Sequence, residues 1–218
     1  KLYDHQKRLF SLCKRKNPKL ILYQAPTGTG KTVSPVGLAG HHKLIFVCAA
    51  KHVGLQFARA CISLEIPIAV AFGCSDPGDV KLHYYSVTDY VKNRRTGGIF
   101  RVDNSVGDKV QIMVSDIQSY LSAMRYMTAF NDRKDIILYW DEPTITLDYD
   151  DHDFHEVMSG NWKENVIPNI VLSSATLPNK DRIMSCIQSF KSKFLGGKVC
   201  EIISHDCKKT IPILDREC

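Results

Sequence analysis

Long apolar runs are what this 218-residue chain most conspicuously lacks. The longest, Leu44 to Ala50, has seven residues, far short of the ~20 that cross a bilayer as a helix, so no membrane partner is expected. No basic-then-apolar segment opens the chain, which argues against a secretory leader. Its eight cysteines, at 13, 48, 61, 74, 186, 200, 207 and 218, form no Cys-x-x-Cys pair. Several lie within apolar runs, as Cys48 does in Leu-Ile-Phe-Val-Cys, where a free thiol behaves as a small hydrophobe. A disulfide framework is therefore not expected, and a reducing intracellular compartment is, either cytoplasm or nucleus. Repeats of 20–50 residues and low-complexity tracts are also missing. With 44% apolar and 24% charged residues, the bulk of the chain has the composition of a globular fold and not of a disordered one. The chain opens on Lys1 and ends at Cys218 just after Asp-Arg-Glu, which leads us to expect a segment of something longer.

What is present alternates. Asp4 can cap a helix that runs to about Lys16 and stops at Asn17-Pro18. Short continuous apolar segments at 20–23, 44–48, 68–72, 110–114, 136–140 and 170–173 are expected as buried strands. Helical segments fall between most of them, at about 52–63, 116–130 and 180–190. This order predicts an α/β fold, a mostly parallel sheet with helices on both faces, in a single domain over 1–218. Segment 73–109, with Asp76-Pro77-Gly78 and Gly97-Gly98 among polar residues, is expected to be an elaborated connection between core strands. Charge is uneven: 135–156 carries eight acids and no Lys or Arg, whereas 1–31 carries eight bases and only Asp4.

Directly after the first expected strand comes Ala25-Pro26-Thr27-Gly28-Thr29-Gly30-Lys31-Thr32. Gly28 and Gly30 let the backbone turn tightly and aim successive N–H groups at phosphate oxygens. A helix expected to start near Lys31 adds partial positive charge. The Lys31 ammonium can reach the β- and γ-phosphates of ATP, and the Thr32 hydroxyl can ligate Mg²⁺. Pro26, Thr27 and Thr29 complete the loop that would wrap the phosphates. Pro35 is an oddity, tolerated only in about the first helical turn.

A phosphate loop alone fits kinases, GTPases, transporters and motors alike. Ile136 to Glu142 narrows the choice. An apolar strand ending in two acids puts carboxylates at the C-terminal edge of the sheet, where the loop also lies. Asp141 would hold Mg²⁺, and Glu142 would orient and deprotonate the water that attacks the γ-phosphate. A third segment, Val171 to Thr176, ends in hydroxyls; there Ser174 and Thr176 could bond the carboxylates and sense the γ-phosphate.

Taken in order, Ala-Pro-Thr-Gly-Thr-Gly-Lys-Thr, Asp-Glu-Pro-Thr and Ser-Ala-Thr resemble the first motor lobe of superfamily 2 helicases over about residues 3–190. The resemblance implies a three-layer P-loop NTPase fold of the RecA-like kind, with ATP and Mg²⁺ bound and DNA or RNA gripped by its backbone. It places Gln6, within Tyr3-Asp4-His5-Gln6, on the adenine edge. Ala50, Lys51 and Gln56, then Gly73, then Ser115 and Asp116, fall where the family contacts the nucleic-acid strand. It further implies a second RecA-like lobe, not present in this chain, that supplies arginines for turnover; no stable oligomer is implied. Asp-Glu-Pro-Thr stands where relatives have Asp-Glu-Ala-Asp or Asp-Glu-x-His, so DNA-or-RNA preference stays open. A phosphotransferase, or a nucleic-acid-binding scaffold with a vestigial ATP site, also remains open at this level.

Two weaker constellations complete the reading. Cys200, His205, Cys207 and Cys218 offer soft ligands, but their spacing matches no common zinc pattern. Lys92, Arg94 and Arg95 lie near Tyr84, Tyr85 and Tyr90, a mixture that suits phosphate neutralisation and base stacking as well as it suits a solvated turn.

Overall fold

The expected strands are rich in β-branched and aromatic residues, and their side chains alternate between the two faces of one sheet. In the computed structural model, which describes residues 2–144, 153–176 and 180–205, the strands are β1 (Lys19–Gln24), β2 (Lys43–Cys48), β3 (Ile68–Ala71), β4 (Lys81–Leu82), β5 (Tyr90–Lys92), β6 (Ile99–Val102), β7 (Ile112–Asp116), β8 (Ile136–Asp141), β9 (Asn169–Ser174) and β10 (Lys198–Ile203), of which β1, β2, β3, β7, β8 and β9 are the expected ones. The helices are α1 (Asp4–Cys13), α2 (Ser34–Leu38), α3 (Lys51–Ser63), α4 (Tyr120–Phe130), α5 (Asp153–Glu164) and α6 (Lys180–Lys193).

Eight strands form one sheet in the order β10-β1-β9-β8-β2-β7-β3-β4, while β5 and β6 pair only with each other. Every pairing in the large sheet is parallel except β3 with β4. Along β1, Ile21 and Tyr23 face a core closed by Leu9 and Leu12 of α1, Leu38 of α2, and Phe57 and Cys61 of α3. Leu20 and Leu22 face the opposite core, closed by Tyr120 and Met127 of α4 and Phe190 of α6, with Phe154, Val157 and Met158 of α5 packed against it. Helices therefore cover both faces of the sheet, as the alternation predicts. Phe46 and Phe57 stack at 4.1 Å between centroids and tie α3 to the sheet centre.

Differences from expectation have local causes. The fourth expected strand, β7, starts at Ile112 and not at Val110, because Gln111 and Ile112 first donate to the Pro67 carbonyl. The next helix starts at Tyr120 because Asp116 Oδ1 accepts the Ser119 N–H at 2.8 Å and holds 116–119 in a turn. Helix α5 was hidden by its acidic surroundings, although Phe154, Val157, Met158, Asn161 and Trp162 mark one helical face. Asn161, 2% exposed, donates to the Ile117 carbonyl at 2.7 Å. Strand β10 is an edge strand, exposed at Lys198, Glu201 and Ile203, so it lacks the continuous apolar signal of the interior strands. The connection over 73–109 carries two single-turn helices, β4 and the β5–β6 hairpin.

Candidate nucleotide site at the C-terminal edge of the sheet

Parallel strands point their C-terminal ends at one edge, and ligands gather where neighbouring connections leave in opposite directions. Here β1 is followed in sequence by β2, yet β9 and β8 lie between them. The loop leaving β1 therefore sits beside the ends of β9 and β8. Its first residue, Ala25, donates its N–H to the Ser174 carbonyl at 3.3 Å.

The loop adopts the backbone its glycines permit: Gly28 has φ +79° and Gly30 φ +80°. Thr29, almost fully buried, donates its hydroxyl to the Pro26 carbonyl at 2.7 Å, which draws the loop closed. Gln6 lies beneath it, its Nε2 3.4 Å from the Gly30 carbonyl and 3.3 Å from Ser34 Oγ. A Cβ at Gly30 would come within 3.0 Å of that amide. Buried Tyr139 of β8 donates its hydroxyl to the Lys31 carbonyl at 2.8 Å, fixing the loop from the sheet side. The helix after the loop differs from expectation. Residues 31–33 form turns, and α2 starts only at Ser34 and ends at Leu38. Pro35 near its start contributes no N–H donor, and five residues add little dipole. The groups in this loop suited to an anion are thus its backbone N–H groups and Lys31.

Lys31 Nζ lies 3.1 Å from Glu142 Oε1, across the mouth of the loop. Glu142 has φ +50°, a left-handed conformation that costs a non-glycine residue about 1–3 kcal/mol. Its N–H donates to the Ser173 carbonyl at 2.7 Å, and its carboxylate accepts from Ser174 Oγ at 2.7 Å and from the Ala175 N–H at 3.0 Å. These bonds hold the strained residue with its carboxylate toward the loop. Ser174 Oγ also lies 2.8 Å from the Thr176 carbonyl, an alternative acceptor for its single proton, and 3.0 Å from the Thr144 hydroxyl. Thr176 returns its N–H to Ser174 Oγ at 3.3 Å.

Asp141 is 6% exposed, and its pKa is raised from the ordinary 3.8 to about 6. Burial is the main cause and the Glu142 charge the second, partly offset by Lys31 and by the Thr32 and Ser173 hydroxyls. Thr32 Oγ1 stands 3.5 Å from Asp141 Oδ2. Oδ1, by contrast, is buried with no hydrogen-bond partner among the described residues. A buried carboxylate oxygen lacking a donor, beside a hydroxyl and a phosphate-type loop, fits a hard divalent cation such as Mg²⁺.

The expected nucleic-acid residues gather at a neighbouring point of the same edge. Asp116 Oδ2 accepts the Gly73 N–H at 3.3 Å and lies 3.6 Å from Lys51 Nζ. Gly73 has φ +69°, with nothing within 4 Å of the position a Cβ would take. Ala50, half-buried, is the residue before α3, and Gln56 is exposed on that helix. Ser115 is fully buried with its hydroxyl on the Asp116 carbonyl at 2.9 Å, so its side chain lies beneath this surface and not on it. Tyr139, Ser34, Thr144 and Ala175 also take part in this candidate site, and the sequence did not single them out. Tyr139 was legible in principle, two residues before Asp141 and so on its face of the strand. Of the candidate zinc ligands, Cys207 and Cys218 lie outside the described residues. Among those described, no cluster of three or more His, Cys, Asp or Glu could hold a metal ion.

No protein-family model and no curated protein matches the chain. Solved structures do match its fold. A DEAD box protein from the hyperthermophile Methanococcus jannaschii is 18% identical with a TM-score of 0.55, over 92% of this chain and 50% of that one. The DEAD-box helicase Mss116, bound to ssRNA and UDP-BeF, is 14% identical with a TM-score of 0.60, over 95% of this chain and 41% of its own. Dbp5 of S. cerevisiae, bound to RNA and ADP BeF3, is 16% identical with a TM-score of 0.56, over 92% of this chain and 46% of its own. At these identities the likeness is one of fold. The chain has the RecA-like fold of these helicases and spans half or less of each.

Proposed function

We propose that this chain is the ATP-binding motor lobe of an ATP-dependent nucleic-acid helicase or translocase, a single RecA-like domain that works with a second lobe. The observation that carries the reading is the convergence of Lys31, Thr32, Asp141, Glu142 and Ser174 on one loop mouth, with Asp141 Oδ1 lacking a hydrogen-bond partner among the described residues. The solved relatives bound to RNA and to nucleotide–BeF groups support it.

In this reading ATP lies along residues 26–32, with Gln6 turned from the loop to the adenine edge. Lys31 leaves Glu142 for the β- and γ-phosphates, so the apo ion pair is a resting state that substrate replaces. Thr32 and Asp141 hold Mg²⁺, which when bound neutralises phosphate charge. Glu142 then keeps Ser174 and Ala175 as donors, and its freed Oε1 accepts a proton from the attacking water. The water oxygen bonds to the γ-phosphorus as the bond to the bridging oxygen breaks, leaving ADP and phosphate. Ser174 joins Glu142 to Thr144 and Thr176, so a change at the γ-phosphate is felt by the segments after β8 and β9. The strand of DNA or RNA would lie by its backbone along Ala50, Lys51, Gln56, Gly73 and Asp116, giving sequence-tolerant, salt-dependent binding.

Transition-state arginines come from the second lobe in this scheme. Their absence costs about 10³–10⁵-fold in comparable enzymes, so the chain alone should bind ATP, hydrolyse it poorly and not unwind duplexes. The buried thiols of Cys13, Cys48 and Cys61, pushed up to about 12 by desolvation, suit a reducing compartment. No helix among the described residues is long and apolar enough to cross a membrane.

The test is Glu142→Gln in a protein carrying both lobes. The variant should bind ATP within a few-fold of the parent and lose about 10²–10⁴-fold in turnover, the usual worth of a general base. Full ATPase activity in the variant contradicts the assignment, and ATPase indifferent to single-stranded DNA and RNA would favour a metabolic phosphotransferase.

A further inference from the structure

The β5–β6 hairpin meets one core through Val102, while it and the turn before it expose residues of a kind that cores elsewhere conceal. Tyr84 is 38% exposed, Tyr90 42% and Val91 57%. The rings of Tyr84 and Tyr85 lie 4.4 Å apart, and Tyr84 meets Tyr90 edge-on at 6.4 Å. His83 packs against both Tyr84 and Tyr85, and its Nδ1 accepts the Tyr85 N–H, which fixes the turn that presents them. Lys92 Nζ stands 5.7 Å from the Tyr90 ring centroid, across a register shift between Val91 and Lys92. Arg94 and Arg95 follow at the exposed tip. There Asn93 holds the turn, accepting the Arg95 and Thr96 N–H groups on its side chain and the Gly97 N–H on its carbonyl. The acids Asp89 and Asp103 lie at the other end, joined through the Asp103 N–H and the Asp89 carbonyl at the root of the hairpin. A cavity of about 920 Å³ opens beside this root, lined by Asp89, Tyr90, Val102 and Asn104 among others.

A row of exposed tyrosine rings leading to three cations has a definite chemistry. Rings offer faces to planar bases whatever their identity, and the cations neutralise a phosphodiester backbone. An acidic peptide would use the cations but leave the ring faces idle. We propose that Tyr84 and Tyr90, with Lys92, Arg94 and Arg95, form a second contact surface for single-stranded nucleic acid, separate from the Lys51–Gly73–Asp116 group. Bases stack on the two rings while the hairpin tip grips the backbone. The inference rests on the nucleic-acid reading above, but every residue it uses lies outside the ATP site.

The test is fluorescence anisotropy of the full chain with fluorescein-labelled oligothymidylate and oligouridylate, without nucleotide. Replacing both rings, Tyr84→Ala with Tyr90→Ala, should weaken binding about 30-fold or more, as two lost stacking contacts imply. Tyr84→Phe with Tyr90→Phe should bind within about two-fold of the parent, since the ring faces remain. Lys92→Gln, Arg94→Gln and Arg95→Gln together should make the slope of log affinity against log salt shallower by about 2. Parent and alanine variant binding equally would overturn the hairpin surface and leave the nucleic-acid reading standing; no binding by the parent would overturn both. Competition by poly-glutamate as strong as by unlabelled oligonucleotide would also overturn it, because carboxylates cannot stack.

Discussion

Asp116 and Asp141 occupy the same position in the fold and do opposite things. Each is the last residue of its strand, each pairs in register with Cys48 of the intervening β2, and they are 4% and 6% exposed. Asp116 has both carboxylate oxygens taken, one by the Ser119 N–H and the other by the Gly73 N–H, with Lys51 nearby. Asp141 has one oxygen near Thr32 and the other with no hydrogen-bond partner among the described residues, and its proton is held up to about pH 6. Burial is therefore not what distinguishes a carboxylate with a free lone pair from a saturated one. The supply of donors is. A saturated carboxylate fastens three segments together, while an unsaturated one keeps a lone pair for something from outside.

The comparison can be broken by removing each acid in turn. Asp116→Ala should show the larger effect, a loss of roughly 2–5 kcal/mol, because it leaves two backbone N–H groups without their acceptor. Urea unfolding measures it, and a loss under about 1 kcal/mol would mean that Asp116 is no latch. Asp141→Asn should act the other way. A carboxyl whose folded pKa is raised from 3.8 to about 6 carries no penalty below 3.8; the penalty grows between those values and is complete above 6. At pH 7.5 it amounts to about 3 kcal/mol, so the ligand-free Asn variant should be more stable than the parent by up to that amount. At pH 4 the two should nearly coincide. A variant less stable than its parent at pH 7.5 would show that Asp141, like Asp116, is held by bonds that matter to the fold.

The same contrast explains what could be read in the sequence. Continuous apolar runs such as Leu44–Cys48 and Ile136–Trp140 announce interior strands because both faces are buried, and the sheet follows from them. The order of Gly28-x-Gly30-Lys31-Thr32, Asp141-Glu142 and Ser174 predicts residues that meet at one edge of the sheet, and the structure brings them together there. Donor supply was not legible. That Asp116 is saturated depends on Gly73, 43 residues away, and on a turn at Ser119 that no periodicity reveals. The left-handed Glu142 is likewise invisible, because the bonds that hold it come from β9. Helix α5 and strand β10 were missed for another reason: each buries only part of its surface, so its apolar signal is diluted by exposed polar residues.

The central claim is that the loop and Asp141 together form a Mg²⁺–nucleotide site. Its most direct test is calorimetric titration of the chain with ATP, with and without Mg²⁺, at pH 8 and at pH 5.5. The account predicts binding that Mg²⁺ tightens at pH 8, with the Mg²⁺ effect shrinking at pH 5.5 as Asp141 takes up its proton. ATP affinity indifferent to Mg²⁺ at both pH values, or no ATP binding at all, would contradict it.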